Sequence, residues 1–163
     1  MNFIKKNLIF KKENIYVILV ILLIFFLDRY AKIKIINNFS DDIYYINNFI
    51  NLNLIWNSGI GFGLLNFDSS LIYNLISFLI GSVIIFLFYY SITLKKTEKL
   101  IFSIIIGGAL GNFYDRLSYN GVPDFIDLHY GNFHWFTFNV ADIFISIAIL
   151  AFIINGFFAK TDK

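Results

Sequence analysis

Four stretches without charge divide this chain, and each is long or extendable enough to be read as a membrane span. Ile15 to Leu27 is uncharged but short. Its flanks, Lys12 and Arg29, carry long side chains whose charged heads reach outward from an apolar layer, so a span over 12–29 is expected. Leu71 to Leu94 is an uncharged run of 24 residues and exceeds the roughly 20 residues a span requires. Leu100 to Tyr114 gives about 22 Å of helix at roughly 1.5 Å per residue. That falls short of a hydrocarbon core of about 30 Å, so the third span is drawn over 97–116. Ile143 to Ala159 is the fourth, begun a turn earlier to cover 139–159. The segments between spans, 30–70 and 117–138, have a different pattern. In "FINLNLIW" (49–56), Ile50, Leu52 and Leu54 alternate with Asn51 and Asn53, the period-two signal of a strand. "NSGIGFG" follows, with glycines that suit a turn or a close backbone approach. "LHYGNFHWFTF" (128–138) is aromatic, with Gly131-Asn132 placed to turn a hairpin. The expected fold class is membrane α-helical: one domain over 1–163, with four transmembrane helices and a small β platform or cradle.

Composition agrees with the pattern. The chain is 58% hydrophobic and 15% charged, with 21 Phe and one Pro, against about a quarter charged in soluble domains. No Cys is present, which removes disulfides, thiolate metal sites and cysteine nucleophiles. His129 and His134 are the two histidines and leave little for a metal centre, so neither metal nor cofactor is expected. The net charge of +2 gives no footing for nucleic acid. The first run has the length of a cleaved signal segment, but no small-residue cleavage site follows it before "DRYAKIKII", so a retained span is expected.

Charge also orients the spans. Lys5, Lys6, Lys11, Lys12, Lys95, Lys96, Lys99, Lys160 and Lys163 fall on one side, and Arg29, Lys32, Lys34 and Arg116 on the other. The positive-inside bias puts both termini in the cytoplasm. The acids skew the opposite way. Glu13, Glu98 and Asp162 are inside, while Asp28, Asp41, Asp42, Asp68, Asp115, Asp124, Asp127 and Asp142 lie outside or at the outer rim. The platform is therefore extracytoplasmic, and Trp56 and Trp135 suit the headgroup zone beside it.

"GGALGNFYDRL" (107–117) carries polar groups to the edge of the third span. Residues three apart share a helix face, so Asn112 with Asp115, and Asn139 with Asp142, each present an amide and a carboxyl to one side. Gly107, Gly108, Ala109 and Gly111 allow a neighbouring helix to approach, which would let Asp115 and Asp142 face each other. Two close carboxyls share a proton with split pKa values, a pair fit for acid–base work on an amide. Simpler readings compete. Asp142 is placed to serve as a helix cap, Asp115 to pair with Arg116, and Asp124 and Asp127 to shape a loop. The glycines suit packing alone, and His129 and His134 read as platform residues. Acids within spans also mark ion paths, although nothing ionisable continues from these toward the cytoplasm. A non-enzymatic assembly factor with a structural acid cluster is a further alternative.

Five segments in order resemble a known family, the lipoprotein signal peptidases (signal peptidase II, prolipoprotein signal peptidase), which are aspartyl peptidases. They are "LDRYAK" (27–32), "NSGIGFGLL" (57–65), "GGALGNFYDRL" (107–117), "VPDFID" (122–127) and "FNVADIFI" (138–145). Arg29 and Ala31 stand where the family usually has Gln and Thr, and Ile60 and Gly61 replace small alanine-like positions. The resemblance implies an endopeptidase of the bacterial plasma (inner) membrane that removes the signal peptide of a diacylglyceryl-modified prolipoprotein, just before the lipidated Cys. It implies catalytic Asp115 and Asp142, dyad support from Asn112, Arg116 and Asn139, and binding or shaping by Asp28, Lys32, Asn57 and Gly59. Substrate and membrane lipid are the expected partners, with the enzyme working as a monomer. Gly59, Gly61 and Phe62 are expected to let the cradle flex over lipid or signal helix.

Overall fold

The computed structural model describes residues 12–39, 43–59 and 70–161. Their elements in chain order are α1 (Lys12–Asn38), β1 (Tyr44–Asn47), β2 (Ile50–Asn57), α2 (Ser70–Ser91), α3 (Lys96–Tyr119), β3 (Val122–Tyr130), β4 (Phe133–Phe138) and α4 (Val140–Thr161). All four helices are long and apolar enough to cross a membrane. The strands follow α1 and α3 and precede α2 and α4, so the sheet sits at one end of the bundle. Gly61, Phe62, Asp41, Asp42 and Asp68, together with Lys5, Lys6, Lys11, Asp162 and Lys163, lie outside the described residues.

Helix α3 is the central one. It packs against α1, α2 and α4, and half of its apolar span is buried, against 17% for α2 and 11% for α4. The surrounding helices turn large side chains outward, among them Leu75, Phe78 and Ile85 of α2 and Ile147, Leu150 and Ile153 of α4. Lipid offers no hydrophobic drive between spans, so close packing has to hold them together. The inner cluster is Val17 and Ile21 of α1, Ile84 of α2 and Ile106 of α3, with Ile80, Leu87, Leu110 and Phe113 against it. Two adjacent glycines serve two neighbours. A Cβ on Gly107 would lie 2.8 Å from Ile24 Cβ of α1, and one on Gly108 2.9 Å from the Ala141 carbonyl oxygen of α4. The close approach read from "GGALG" is therefore present on both sides of α3.

Helix α1 departs from the expected span. It continues to Asn38 instead of ending near Arg29. Asp28 and Lys32 are one turn apart and pair at 2.7 Å, and charges satisfied on one helix face do not end the helix. The Phe39 amide closes on Ile35 O at 2.8 Å, and the Asn38 side chain on Lys34 O at 2.7 Å.

The sheet is antiparallel throughout, in the order β1-β2-β3-β4. Strand β2 matches the alternating segment, and β3 turns into β4 at Gly131-Asn132, where Gly131 has φ +58°. Strand β1 was not expected. Asn47 Oδ1 closes its turn by accepting the Phe49 and Ile50 amides at 2.9 and 3.0 Å. Strand β3 begins at Val122, so "VPDFID" is a central strand and not a loop. Val122 through Phe125 are buried without alternation. A strand covered on both faces loses its period-two signature, which is why the pattern missed it.

Candidate active site

The site forms where α1, α3, α4, β2 and β3 meet. Lys32 is fully buried, and an ammonium has three N–H donors and no acceptor. Three oxygens surround its Nζ, each at 2.7 Å: Asp28 Oδ2, Asp115 Oδ2 and Asn112 Oδ1. Asn112, having accepted from Lys32, donates through Nδ2 to Asp142 Oδ1 at 2.9 Å. Asp115 is also paired with Arg29 through the other carboxylate oxygen. That guanidinium lies 4.6 Å from the Tyr114 ring centre and donates to Tyr119 Oη at 3.3 Å.

The start of α4 is capped twice. The Asp142 amide donates to Asn139 Oδ1 at 3.1 Å, and the Asn139 amide donates to Asp142 Oδ2 at 3.2 Å. This is the reciprocal arrangement of a capping box. Asp28 Oδ1 accepts the Ala141 amide at 2.9 Å, filling another of the donors left open in a first turn. Asp142 is thus a capping residue, as the simpler reading held, and is also joined to the Lys32 cluster.

Asn139 continues the network. Its Nδ2 donates to Asp124 Oδ1 at 2.6 Å, while Asn57 Nδ2 donates to Asp124 Oδ2 at 2.9 Å. Asn57 Oδ1 accepts the Gly59 amide at 2.9 Å. Arg116 donates to the Gly59 carbonyl oxygen, and its own carbonyl accepts from the Tyr73 hydroxyl at 3.1 Å. All nine residues named from the sequence therefore lie in one hydrogen-bonded and ion-paired web. The Asp115–Arg116 pair of the simpler reading is not formed. Neighbours in a helix point about 100° apart, and Arg29 and Lys32 of α1 reach Asp115 instead.

Two members of the web were passed over in the sequence. Asp124 reads in the sequence as loop-shaping, but in the structure it is 3% exposed between two asparagines. Burial, then the charge of Asp142, push its carboxyl up to about 6, against the opposing hydrogen bonds from Asn57 and Asn139. In the sequence Arg29 reads as a span end, an outer-side basic residue and a departure from a motif, not as a partner of an acid. No pattern on one helix could have shown that its partner is Asp115.

A cavity of about 310 Å³ opens beside the web, lined by polar Asn57, Asn112, Arg116, Asp124, Asn139 and Asp142 and by apolar side chains including Ile80 and Ile145. Its lining combines carboxyl and amide groups with hydrocarbon. A cavity with such a mixed lining suits a ligand that has both polar and apolar parts.

Comparisons with known proteins agree with this geometry. The family model described as signal peptidase (SPase) II matches residues 20–158. A protein of Pelagibacter ubique named lipoprotein signal peptidase is 48% identical over 93% of this chain and 93% of its own length. One of Thermodesulfovibrio yellowstonii with the same name is 40% identical over 83% of this chain and 88% of its own. A solved structure, a bacterial membrane enzyme determined in meso at 2.3 Å resolution, superposes with TM-score 0.72 at 25% identity, covering 91% of each chain. The five ordered segments, the four spans with their sheet and these matches agree: the chain belongs to the signal peptidase II family of lipoprotein signal peptidases, which are aspartic peptidases.

Proposed function

We propose that this chain is an intramembrane aspartyl endopeptidase in which Asp115 and Asp142 together hydrolyse the bond just before the lipidated Cys of a diacylglyceryl-modified prolipoprotein. The observation that carries this reading is the web itself. It links the last turns of α3 and the first turn of α4 through Lys32 and Asn112, and it borders a cavity lined by both polar and apolar side chains. In the reaction, one carboxylate takes a proton from water as the water attacks the scissile carbonyl carbon. The protonated partner donates to the carbonyl oxygen, and a proton then passes to the leaving nitrogen. Each well-placed group contributes roughly 10²–10⁴-fold. On this reading the two act as a unit, so neither is assigned a fixed role. In the resting arrangement Asp115 is engaged by Arg29 and Lys32, and catalysis requires one of those pairs to loosen as substrate enters.

The lipid explains the location. Two acyl chains stay in the bilayer at about 0.8 kcal/mol per buried CH₂, so the precursor arrives laterally with its cleavage site at the membrane surface. The basic-residue bias supports both termini in the cytoplasm of a bacterial plasma membrane, with the web at the extracytoplasmic face. Asn57 and Gly59 are suited to shape the cradle, Arg116 and Asn139 to support the acids, and Asp28 to fix α4.

Incubating purified protein with a diacylglyceryl precursor and weighing both products locates the bond: the expected products are a free signal peptide and a chain beginning at lipidated Cys. One observation favours a second assignment. Asp124 lines the cavity beside Asp142, and Asp115 does not. An Asp124→Asn variant as inactive as Asp142→Asn, beside an active Asp115→Asn, would establish that pairing and overturn the first.

A further inference from the structure

The extracytoplasmic sheet holds a second cluster that the proposed peptidase does not use. Asp127 and His129 are two apart on β3 and share a face, and His134 lies opposite His129 on β4. His134 Nδ1 is 2.8 and 3.0 Å from the two Asp127 oxygens, and His129 Nδ1 is 3.9 Å from Asp127 Oδ2. The imidazole rings are stacked, 5.3 Å between centres. One donor atom from each residue lies within 4.8 Å of the other two. His129 is 6% exposed, yet its Nδ1 has no hydrogen-bond partner among the described residues. Asn51, opposite Asp127 on β2, has a buried Oδ1 that is likewise unpartnered among the described residues. Buried polar atoms are rarely left so.

We infer that Asp127, His129 and His134 form a divalent transition-metal site, suited first to Zn²⁺, that ties the edge strand β4 to β3. Two imidazoles and a carboxylate are the donor set zinc takes with water as fourth ligand. Bonds of about 2.0–2.1 Å in a tetrahedron put ligand atoms roughly 3.3 Å apart, so small side-chain shifts bring the two nitrogens and one oxygen into place. His134 is exposed, which gives the ion a path from water. The orphaned His129 nitrogen becomes a ligand, and the Asn51 oxygen is placed to accept a hydrogen bond from bound water. Strand β4 runs directly into Asn139 and Asp142, so the ion would brace the strand that leads to the proposed acids. No chemistry is assigned to it.

The test uses the full chain without a polyhistidine tag, stripped with chelator in detergent, and titrated calorimetrically with Zn²⁺. The site predicts one Zn²⁺ per chain, bound about 100-fold or more weakly after His134→Gln or His129→Gln removes a ligand. Zn²⁺ should also raise the unfolding temperature of the parent protein but not of the variants. The exposed His134 variant guards against misfolding: its melting without metal should match the parent. Absence of stoichiometric binding overturns the inference. So does binding that survives His134→Gln, or binding lost in Asp142→Asn with His134 intact, which would put the ion at the carboxyl web.

Discussion

Lys32 is the residue on which the web turns. Its ammonium meets three oxygens from two helices with none of its donors exposed. Lys32→Met would leave Asp28 and Asp115 buried without that cation, a loss of about 3–5 kcal/mol for a broken buried pair. A large fall in unfolding temperature, together with loss of cleavage, is the expected result. Asp124 makes a different statement. Its folded pKa of about 6 is above the usual carboxylate value, so the native state holds the proton more tightly than the unfolded chain. The associated stability is fully present below about pH 4 and is lost as pH rises to about 6, by roughly 3 kcal/mol. Asp142 and Lys32 act on the same carboxyl, so the comparison is with Asp124→Asn. Between pH 4 and 6 the parent should lose stability relative to this variant, and equal slopes in a melting series would refute the assignment. At this scale the sequence spoke through motifs and through i, i+3 spacing: Asn112 with Asp115 and Asn139 with Asp142 were legible because each pair lies within one turn. Arg29 with Asp115, and Asp124 with Asn57, were not, because those contacts depend on which faces of separate elements meet.

At the scale of elements, uncharged length announced the helices, an aromatic run turning at Gly131-Asn132 announced the β3–β4 hairpin, and alternation announced β2. It failed where burial was two-sided, at the start of β3, and where charges were satisfied inside the protein, along α1. The glycine pair on α3 was readable as a contact but not as two contacts with different partners. Gly108 faces Ala141 and Ile145 of α4, one turn or less from Asp142. Gly108→Val would push α4 outward. Overpacking of this kind costs typically about 1–3 kcal/mol, but cleavage should fall further, because displacement of α4 stretches the 2.9 Å bond between Asn112 and Asp142. A variant that melts lower yet cleaves at the parent rate would show that the α3–α4 spacing does not matter to the reaction.

For the whole molecule, a chain with no Cys makes orientation directly measurable. Asn132→Cys in the β3–β4 turn and Thr97→Cys at the start of α3 are both exposed. In intact cells a membrane-impermeant maleimide should label the first and spare the second until the membrane is opened; the reverse pattern would invert the topology drawn from the lysines. On the proposed function, that topology puts the web beside the layer where a lipid-anchored precursor would present its cleavage site, with α3 and α4 each contributing one acid. The central claim is that these two acids act together on one water. The direct measurement is the single-turnover cleavage rate of Asp115→Asn, Asp142→Asn and the double variant, each checked to be folded and inserted. The account predicts that each single variant loses at least about 10³-fold and that the double variant is no slower than either, as for groups that act as a unit. Cleavage within about tenfold of the parent rate in either single variant would contradict it.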